Sequence, residues 1–357
     1  MKKILSICLP TYNRAETVLA NVLWLLKSNN QEFEVVVSDN CSEDNTRELL
    51  QTISDSRFRY YRNDKNYGAS YNFHLLYQRT EGDYMILMSD EDFVEHEAID
   101  YLVDFFKENS DVSVYVGSGY RGEDKKFFAD KEYHNGFDAL MDIGFTTRYM
   151  SGIIMKREAY LTEVNNISFE NSAPIFDAYS FMYTMSRLFF CGRTVTASKR
   201  IYHQDRFVKT SVTNNATDRP EVYYYEPAGR EKQMKSWIRS IATLPISDVE
   251  KILASYKVIY DSAELSLRVF DLDYQKRYID FLREEDYQKL LQHISDLNIY
   301  SAVEWILREG RAFILSECKI QEAELDAEIV TDYVEARSTK LTELSNDVIF
   351  RNQKNET

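Results

Sequence analysis

The chain has 357 residues, of which 58 are Asp or Glu and 43 are Lys or Arg, so its formal net charge is −15. This acidic balance, without any basic run that has interleaved aromatic residues, excludes a general nucleic-acid surface and disfavours broad adhesion to anionic lipid. Hydrophobic residues make up 44% and aromatic residues 14% of the chain, which excludes extensive disorder. No uninterrupted apolar segment reaches the roughly 18 residues that predict a membrane span.

The cysteines are widely separated and form no C-x-x-C pair; they are Cys8, Cys41, Cys191 and Cys318. This spacing favours reduced thiols in a cytoplasmic protein over a zinc site or a disulfide framework. At the N-terminus, the apolar run before Pro10 is only six residues long, from Ile4 to Leu9. A run of that length predicts a strand and not a secretion signal.

The first two predicted strands each lead into a polar loop and then into a helix. The apolar run Lys3 to Leu9 continues into the sequence PTYNR at residues 10–14, and a helical pattern follows from Val18. The second run, Phe33 to Val37, ends in SDN at residues 38–40. Such units predict a parallel sheet whose loops gather at the carboxyl ends of the strands, where open α/β sheets bind ligands.

An acidic cluster follows a third apolar strand at the same predicted edge of the sheet. Tyr84 to Met88 is apolar and is followed after Ser89 by Asp90, Glu91 and Asp92. Neighbouring carboxylates repel one another unless a cation neutralises them, and hard oxygen ligands select Mg²⁺ or Mn²⁺. The alternative is that these acids cap the following helix, where they would satisfy free backbone amides.

The order of these segments resembles a family 2 glycosyltransferase of GT-A fold. The segments that carry the resemblance are PTYNR, VVVSDNCSEDNT, NYGASYN and GDYMILMSDED, which begin at residues 10, 35, 66 and 82. The resemblance is strong over about the first 100 residues and weakens through about residue 210. It implies an α/β domain with a Rossmann-like, mostly parallel sheet and flanking helices.

The resemblance also implies a nucleotide-sugar site. The residues that it assigns to this site are Pro10, Thr11, Tyr12, Arg14, Asp39, Asn66, Asp90 and Arg206. Tyr12 would offer a ring face for stacking on the base, and Asp39 would accept a hydrogen bond from the uracil ring N–H. Thymine presents the same N–H, so a TDP-sugar satisfies this contact equally. Alternatively, Asp39 shapes the turn that follows it.

The acidic motif departs from the usual D-x-D pattern of the family, because Ser89 stands at its first acidic position and Glu91 at its metal position. The resemblance implies Mn²⁺ or Mg²⁺ held by Glu91, Asp92 and His203, and it leaves open which carboxylate contacts the metal. His203 follows a predicted strand from Thr194 to Ile201. A lone histidine there is otherwise a surface residue or one already satisfied by its neighbours.

The general base that the resemblance implies is Asp177, which precedes a predicted helix from Ala178 to Leu188. Phe176 replaces the acid that often comes before this aspartate in the family. The alternative role for Asp177 is to cap the helix, and one side chain can serve both purposes.

Arg206, Lys209 and Gly152 can each contact a substrate or serve only a structural role. Arg206 and Lys209 lie in a polar loop and either clamp the diphosphate or remain solvated loop charges. Gly152 resembles the small residue in the strand beneath the acceptor sugar, or it marks a bulge.

From about residue 226 the sequence becomes helical and strongly charged, with heptad-like apolar spacing at Ile252, Tyr256, Ile259, Tyr260 and Ala263. We predict a nucleotide-sugar-binding half at 1–100, an acceptor-binding half at 101–218 and a small all-helical domain at 219–357. The helices of this last domain pack on one another, and the domain also offers a surface for self-association or a partner.

The expected function is therefore metal-dependent, inverting transfer of a sugar from a UDP-sugar to a hydroxyl of a surface glycan, glycolipid or glycoprotein. One rival is a GT-A-like scaffold that has lost catalysis, which Ser89, Glu91 and the helical tail favour. A nucleotidyltransferase is the weaker rival, because no glycine-rich, basic phosphate-binding motif follows the first strand.

Overall fold

The computed structural model describes residues 2–120, 128–145, 150–164, 179–203, 227–269 and 299–355. These residues belong to two compact units. The N-terminal unit contains the described residues up to 203, and the C-terminal unit contains those from 227 onward. The predicted boundaries at residues 100 and 218 stay predictions.

One sheet of nine strands runs through the described part of the N-terminal unit. The strands are β1 (Leu5–Thr11), β2 (Phe33–Asp39), β3 (Phe58–Arg62), β4 (Tyr84–Leu87), β5 (Phe93–Val94), β6 (Val112–Tyr120), β7 (Lys131–Tyr133), β8 (Ile153–Lys156) and β9 (Arg193–His203). Their order is β3-β2-β1-β4-β8-β6-β9-β5, and β7 pairs with β9. The strands β5, β7 and β8 pair antiparallel to their neighbours, while the others are parallel, so the prediction of a mostly parallel α/β sheet is confirmed.

Helices connect these strands. They are α1 (Ala15–Leu25), α2 (Thr46–Leu50), α3 (Ala69–Gln78), α4 (His96–Glu108), α5 (Gly136–Ile143), α6 (Arg157–Glu163) and α7 (Ser180–Leu188). Nearly every residue of β1, β2 and β4 is buried, polar residues included, because helices cover both faces of this part of the sheet. Because β1 pairs parallel with both β2 and β4, the carboxyl ends of the three strands meet at one edge.

Arg57 fastens the end of α1 to the start of β3. Its guanidinium donates to the carbonyl oxygens of Leu26, Ser28 and Asn30 at 2.6 to 2.8 Å and pairs with Asp55 at 2.8 Å. Arg57 is almost fully buried, so these carbonyls receive charged donors in place of water.

The C-terminal unit is all-helical in the part that the structure describes, as predicted. Its elements are α8 (Pro227–Ala242), α9 (Asp248–Val269), α10 (Ile299–Glu317), a 3₁₀ helix (Glu322–Asp326) and α11 (Glu328–Asn355). The apolar positions predicted from the heptad-like spacing in α9 are all buried. None of the described helices has both the length and the apolar character that crossing a bilayer requires.

Charged side chains also lie inside this unit. Asp261 of α9 accepts from Lys257 at 2.7 Å and from Arg337 of α11 at 2.8 Å. Despite burial, which alone would raise it, the pKa of Asp261 is lowered by these two cations. The Arg337–Asp261 pair joins α11 to α9, whereas the Lys257–Asp261 pair lies within α9.

His74 makes the stability of the N-terminal unit depend on pH. Its ring contacts the Tyr160 hydroxyl at 2.6 Å and the Gln78 amide at 3.0 Å, and burial lowers its pKa from 6.5 to about 4. Because the folded pKa lies below the unfolded one, the unfolded chain takes up the proton first. This contribution to stability is complete above pH 6.5 and is lost as the pH falls toward 4.

We therefore expect the difference in unfolding free energy between the parent and a His74→Gln variant to change by about 2 kcal/mol between pH 8 and pH 5. Urea unfolding followed by circular dichroism at both pH values measures this difference. His134→Gln is the matched control, because the side chain of His134 is 78% exposed. A difference that does not vary with pH would show that His74 is readily protonated in the folded protein.

Candidate active site

The loops after β1, β2 and β4 meet at one edge of the sheet, because β1 lies between the other two strands. The Thr11 hydroxyl after β1 donates to Asp90 after β4 at 2.7 Å, and the Asn40 amide after β2 donates to the Thr11 carbonyl at 2.9 Å. The structure thus brings PTYNR, SDN and SDED together at this edge.

Arg14 forms an ion pair with two members of the acidic cluster. One nitrogen of its guanidinium, Nη1, lies 2.8 Å from Asp90 Oδ1 and 2.9 Å from Glu91 Oε2. The Asp90 side chain is only 5% exposed, and that of Glu91 is 21% exposed. Burial lowers the pKa of Arg14, but the two carboxylates outweigh burial and leave that pKa raised. Arg14 therefore stays charged and offsets the negative charge of the cluster.

Asn21 and Ser151 hold the backbone of the acidic loop and its last acid, Asp92. Asn21 of α1 donates through its side-chain amide to the carbonyl oxygens of Asp90 and Asp92 at 3.0 and 2.7 Å. The Asp92 side chain is fully buried and accepts from the Ser151 hydroxyl at 2.5 Å, and Ser151 accepts from the Ser89 amide at 2.9 Å. Asp92 thus faces Ser151 in the interior. Its predicted metal role stays a prediction.

His203 comes to the acidic loop through strand pairing. In the antiparallel ladder of β5 and β9, His203 lies opposite Phe93, the residue after Asp92. Its ring forms a close pair with the Glu95 carboxylate, and both side chains are partly exposed. His203 is therefore within the candidate site, with a carboxylate that can hold its ring orientation. Its role toward a metal stays a prediction.

Asp39 is fully buried at the end of β2. Its Oδ1 accepts from the Ser42 amide at 2.8 Å, and its Oδ2 accepts from the Tyr60 hydroxyl at 2.7 Å and from Arg62 at 3.1 Å. The Ser42 contact is the turn-shaping bond that was the alternative interpretation of Asp39. Each carboxylate oxygen accepts two hydrogen bonds, so Oδ1 keeps one acceptor position, but the side chain is 0% exposed and a base reaches it only if the surrounding loops move. The predicted base contact stays a prediction.

The loop after β1 is tied to the loop after β2. Asn13 has a positive φ of 53°. Its amide donates to the Ser42 hydroxyl at 2.9 Å, and its side chain accepts from the Glu43 amide at 2.7 Å. Pro10 and Tyr12 are partly exposed beside these contacts. This leaves the Tyr12 ring accessible for the predicted stacking on a base.

Asn66 belongs to a network of asparagines that sequence reasoning did not find. Asn40 donates to Asn66 Oδ1 at 2.6 Å, Asn63 donates to Asn40 and Asn72 at 3.0 and 2.9 Å, and Arg79 donates to Asn63 at 2.8 Å. The network fixes the loop between β3 and α3 against the end of β2. Only the repeated asparagines in a short stretch hint at it in the sequence.

Gly152 lies in a turn directly before β8, with a positive φ of 90°. A Cβ there would come within 2.5 Å of the Tyr202 ring and 2.9 Å of the Gly117 carbonyl. A glycine is therefore required by the backbone and by close packing. Its predicted place beneath the acceptor stays a prediction. Asp177, Arg206 and Lys209 lie outside the described residues.

The acidic cluster has carboxylate oxygens that suit a divalent cation, but Arg14 already pairs with those oxygens. One carboxylate oxygen of Asp90 and one of Glu91 both contact Nη1 of the Arg14 guanidinium. Within the described ranges, no three His, Cys, Asp or Glu side chains are arranged to hold a metal by themselves. Mg²⁺ is usually bound by one or two carboxylates together with substrate phosphates, so the number of carboxylates here is that of a site completed by a phosphate-bearing ligand.

Comparison with known proteins agrees with this geometry. The sequence profile of glycosyl transferase family 2 matches residues 6–170. The putative teichuronic acid biosynthesis glycosyltransferase TuaG of Bacillus subtilis is 24% identical over 125 residues, which are 34% of this chain and 50% of TuaG. Abequosyltransferase RfbV of Salmonella typhimurium is 24% identical in an alignment of 182 positions that covers 44% of this chain and 54% of RfbV. The chain thus spans about half the length of these relatives.

Among solved structures, S. aureus TarS 1-349 in complex with UDP-GlcNAc superposes with a TM-score of 0.53 at 16% identity, covering 89% of this chain and 90% of TarS 1-349. At this identity the likeness establishes the fold alone. The profile assigns residues 6–170 of this chain to glycosyl transferase family 2, and the likeness to TarS 1-349, with the sheet described above, shows that the N-terminal unit has the GT-A fold.

Proposed function

We propose that this protein is a cytoplasmic, metal-dependent, inverting glycosyltransferase that moves a sugar from a UDP-sugar to a hydroxyl of a surface glycan, glycolipid or glycoprotein. The observation that carries the proposal is the meeting of the Thr11 to Arg14 loop, Asp39 and the acidic loop at one edge of the sheet. The four cysteines are unpaired, in keeping with a reducing compartment.

Asp39 and Tyr12 favour a UDP-sugar as the sugar donor. Asp39 offers a buried acceptor for the ring N–H of uracil, and Tyr12 offers a partly exposed ring beside it. The TarS complex with UDP-GlcNAc supports UDP as the nucleotide. A bacterial surface polysaccharide is the favoured acceptor class, because TuaG is named for teichuronic acid biosynthesis.

The proposed reaction is an in-line displacement. The acceptor hydroxyl oxygen attacks the anomeric carbon opposite the diphosphate, the bond from that carbon to the phosphate oxygen breaks, and UDP leaves with the bonding electrons. Asp177 takes the hydroxyl proton, and Arg206 pairs with the leaving diphosphate. Glu91, with Asp90 beside it and Asp92 and His203 in the same loop pairing, would hold a divalent cation together with oxygens of the diphosphate, and the cation would supply positive charge to the leaving group.

UDP release from a panel of UDP-sugars, with and without Mn²⁺, tests the proposal against that of an inactive scaffold. We expect release with at least one sugar, competition by UDP, and little competition by ADP or GDP. A protein that binds UDP but releases none from any sugar and acceptor tried would be a scaffold.

We further expect UDP affinity, measured by calorimetry, to fall by about tenfold or more (about 1.4 kcal/mol) when EDTA removes the divalent cation. The physical reason is that the acidic cluster repels the diphosphate unless a cation lies between them. Glu91→Gln should weaken this dependence on the cation. Glu97→Gln is the matched control, since Glu97 is exposed on the first turn of α4. Equal affinity in EDTA and Mn²⁺ would count against the metal.

A further inference from the structure

We propose that Arg14 occupies the cation position of the acidic loop in the empty protein, and that it leaves only when a divalent cation and a nucleoside diphosphate bind together. This inference rests on the proposed function, and it assigns to Arg14 a part in the order of binding. Arg14 would be a positioning residue that couples the two ligands.

The first argument is the geometry of the ion pair. Asp90 and Glu91 each place one oxygen within 3 Å of the same nitrogen of Arg14. A divalent cation held by these two carboxylates would need the same two oxygens. Arg14 and the cation therefore exclude each other.

The second argument is charge. Asp90 is only 5% exposed, and the Thr11 hydroxyl and Arg14 both donate to it. Removing the guanidinium without a replacement leaves a nearly buried carboxylate next to a second one, which is unfavourable. A hydrated cation alone also loses water on entering and finds few protein ligands. A cation that brings a diphosphate gains phosphate oxygens, and the diphosphate gives Arg14 a new bidentate partner.

The third argument is that Arg14 can move without its loop. The residue before it is held by the Asn13 amide on the Ser42 hydroxyl at 2.9 Å. The residue after it is held by the Ala15 amide on the Asp44 carboxylate at 3.0 Å. With the backbone held on both sides, a guanidinium displaced from the carboxylates would move by rotation of its side chain and not by movement of the loop.

The consequence is that the cation and UDP should bind with positive coupling, and that Arg14 is the source of much of it. The test is electron paramagnetic resonance of Mn²⁺, which reports free and bound cation without UDP and with saturating UDP. In the parent protein, UDP should tighten Mn²⁺ binding by about 5- to 150-fold, the usual range of coupling between sites.

In Arg14→Gln we expect Mn²⁺ alone to bind about tenfold more tightly than in the parent, and the effect of UDP to shrink by a similar factor. Arg14→Lys is a second variant that keeps the charge and so protects the fold, while its single ammonium bridges two carboxylates less well. It should give an intermediate result. Arg47→Gln, an exposed arginine on α2, is the matched control and should behave like the parent.

Unchanged affinity of both Arg14 variants for Mn²⁺ alone, in proteins that still bind Mn²⁺ with UDP, would overturn the role of Arg14 and leave the proposed function intact. If the parent binds no Mn²⁺ even with UDP, the proposal on Arg14 and the metal dependence fail together. Calorimetry with UDP in EDTA then shows whether nucleotide binding itself survives.

Discussion

Asp177→Asn should reduce sugar transfer by about 100-fold or more, while UDP and Mn²⁺ affinity stay close to those of the parent. Asparagine keeps the shape of the side chain and its ability to cap a helix, but it cannot accept the proton of the acceptor hydroxyl. The measurement is the rate of transfer at saturating donor, together with calorimetry of UDP.

The control for this experiment is Asp138→Asn, which makes the same chemical change at an exposed acid on the first turn of α5. Glu170→Gln tests the other acid near residue 177. If Asp177→Asn transfers sugar at a nearly normal rate while Glu170→Gln does not, the base is Glu170.

Arg57→Met should lower the unfolding free energy of the protein by about 3–5 kcal/mol, since it removes a buried guanidinium and leaves three backbone carbonyls without donors. Those carbonyls belong to Leu26, Ser28 and Asn30. Methionine keeps an unbranched apolar side chain in place of the arginine methylene groups, so the expected loss comes mainly from the missing hydrogen bonds. Urea unfolding measures it.

Arg47→Met is the control for the same substitution at an exposed site on α2, and it should change stability little. A loss of less than about 1 kcal/mol in Arg57→Met would mean that water replaces the guanidinium at the three carbonyls.

Strands that are largely apolar could be predicted from the sequence, because burial on both faces favours apolar residues at successive positions. Leu5–Thr11 and Phe33–Asp39 begin or end within two residues of the predicted strands. The two-residue strand Phe93–Val94 could not be predicted, because two residues are too few to show an alternation of apolar and polar side chains. This strand is defined only by its pairing with β9.

The same distinction applies to the candidate site. The residues brought to one edge by parallel strands could be predicted, since that edge follows from strand order. Ser151 and Asn21 could not, because each reaches the acidic loop from a distant element, and a serine or asparagine carries no sequence signal of such a contact. The ion pairs of Arg14 with Asp90 and Glu91 differ from the predicted role of Arg14 as a nucleotide ligand. An arginine in a binding loop has the same sequence signal for either role.

The pairing of Phe93 with His203 has a consequence for how the acidic motif tolerates change. The loop between β4 and β5 is held through its backbone, because Asn21 donates to the carbonyl oxygens of Asp90 and Asp92 and Phe93 then pairs with His203. A residue gained or lost in this loop would break some of these contacts, whereas a change of side chain at residues 89–91 leaves the backbone contacts available. Loop length is therefore more constrained here than the identity of each acid. A serine in place of the first aspartate is compatible with that rule, and related sequences are best aligned here by loop length.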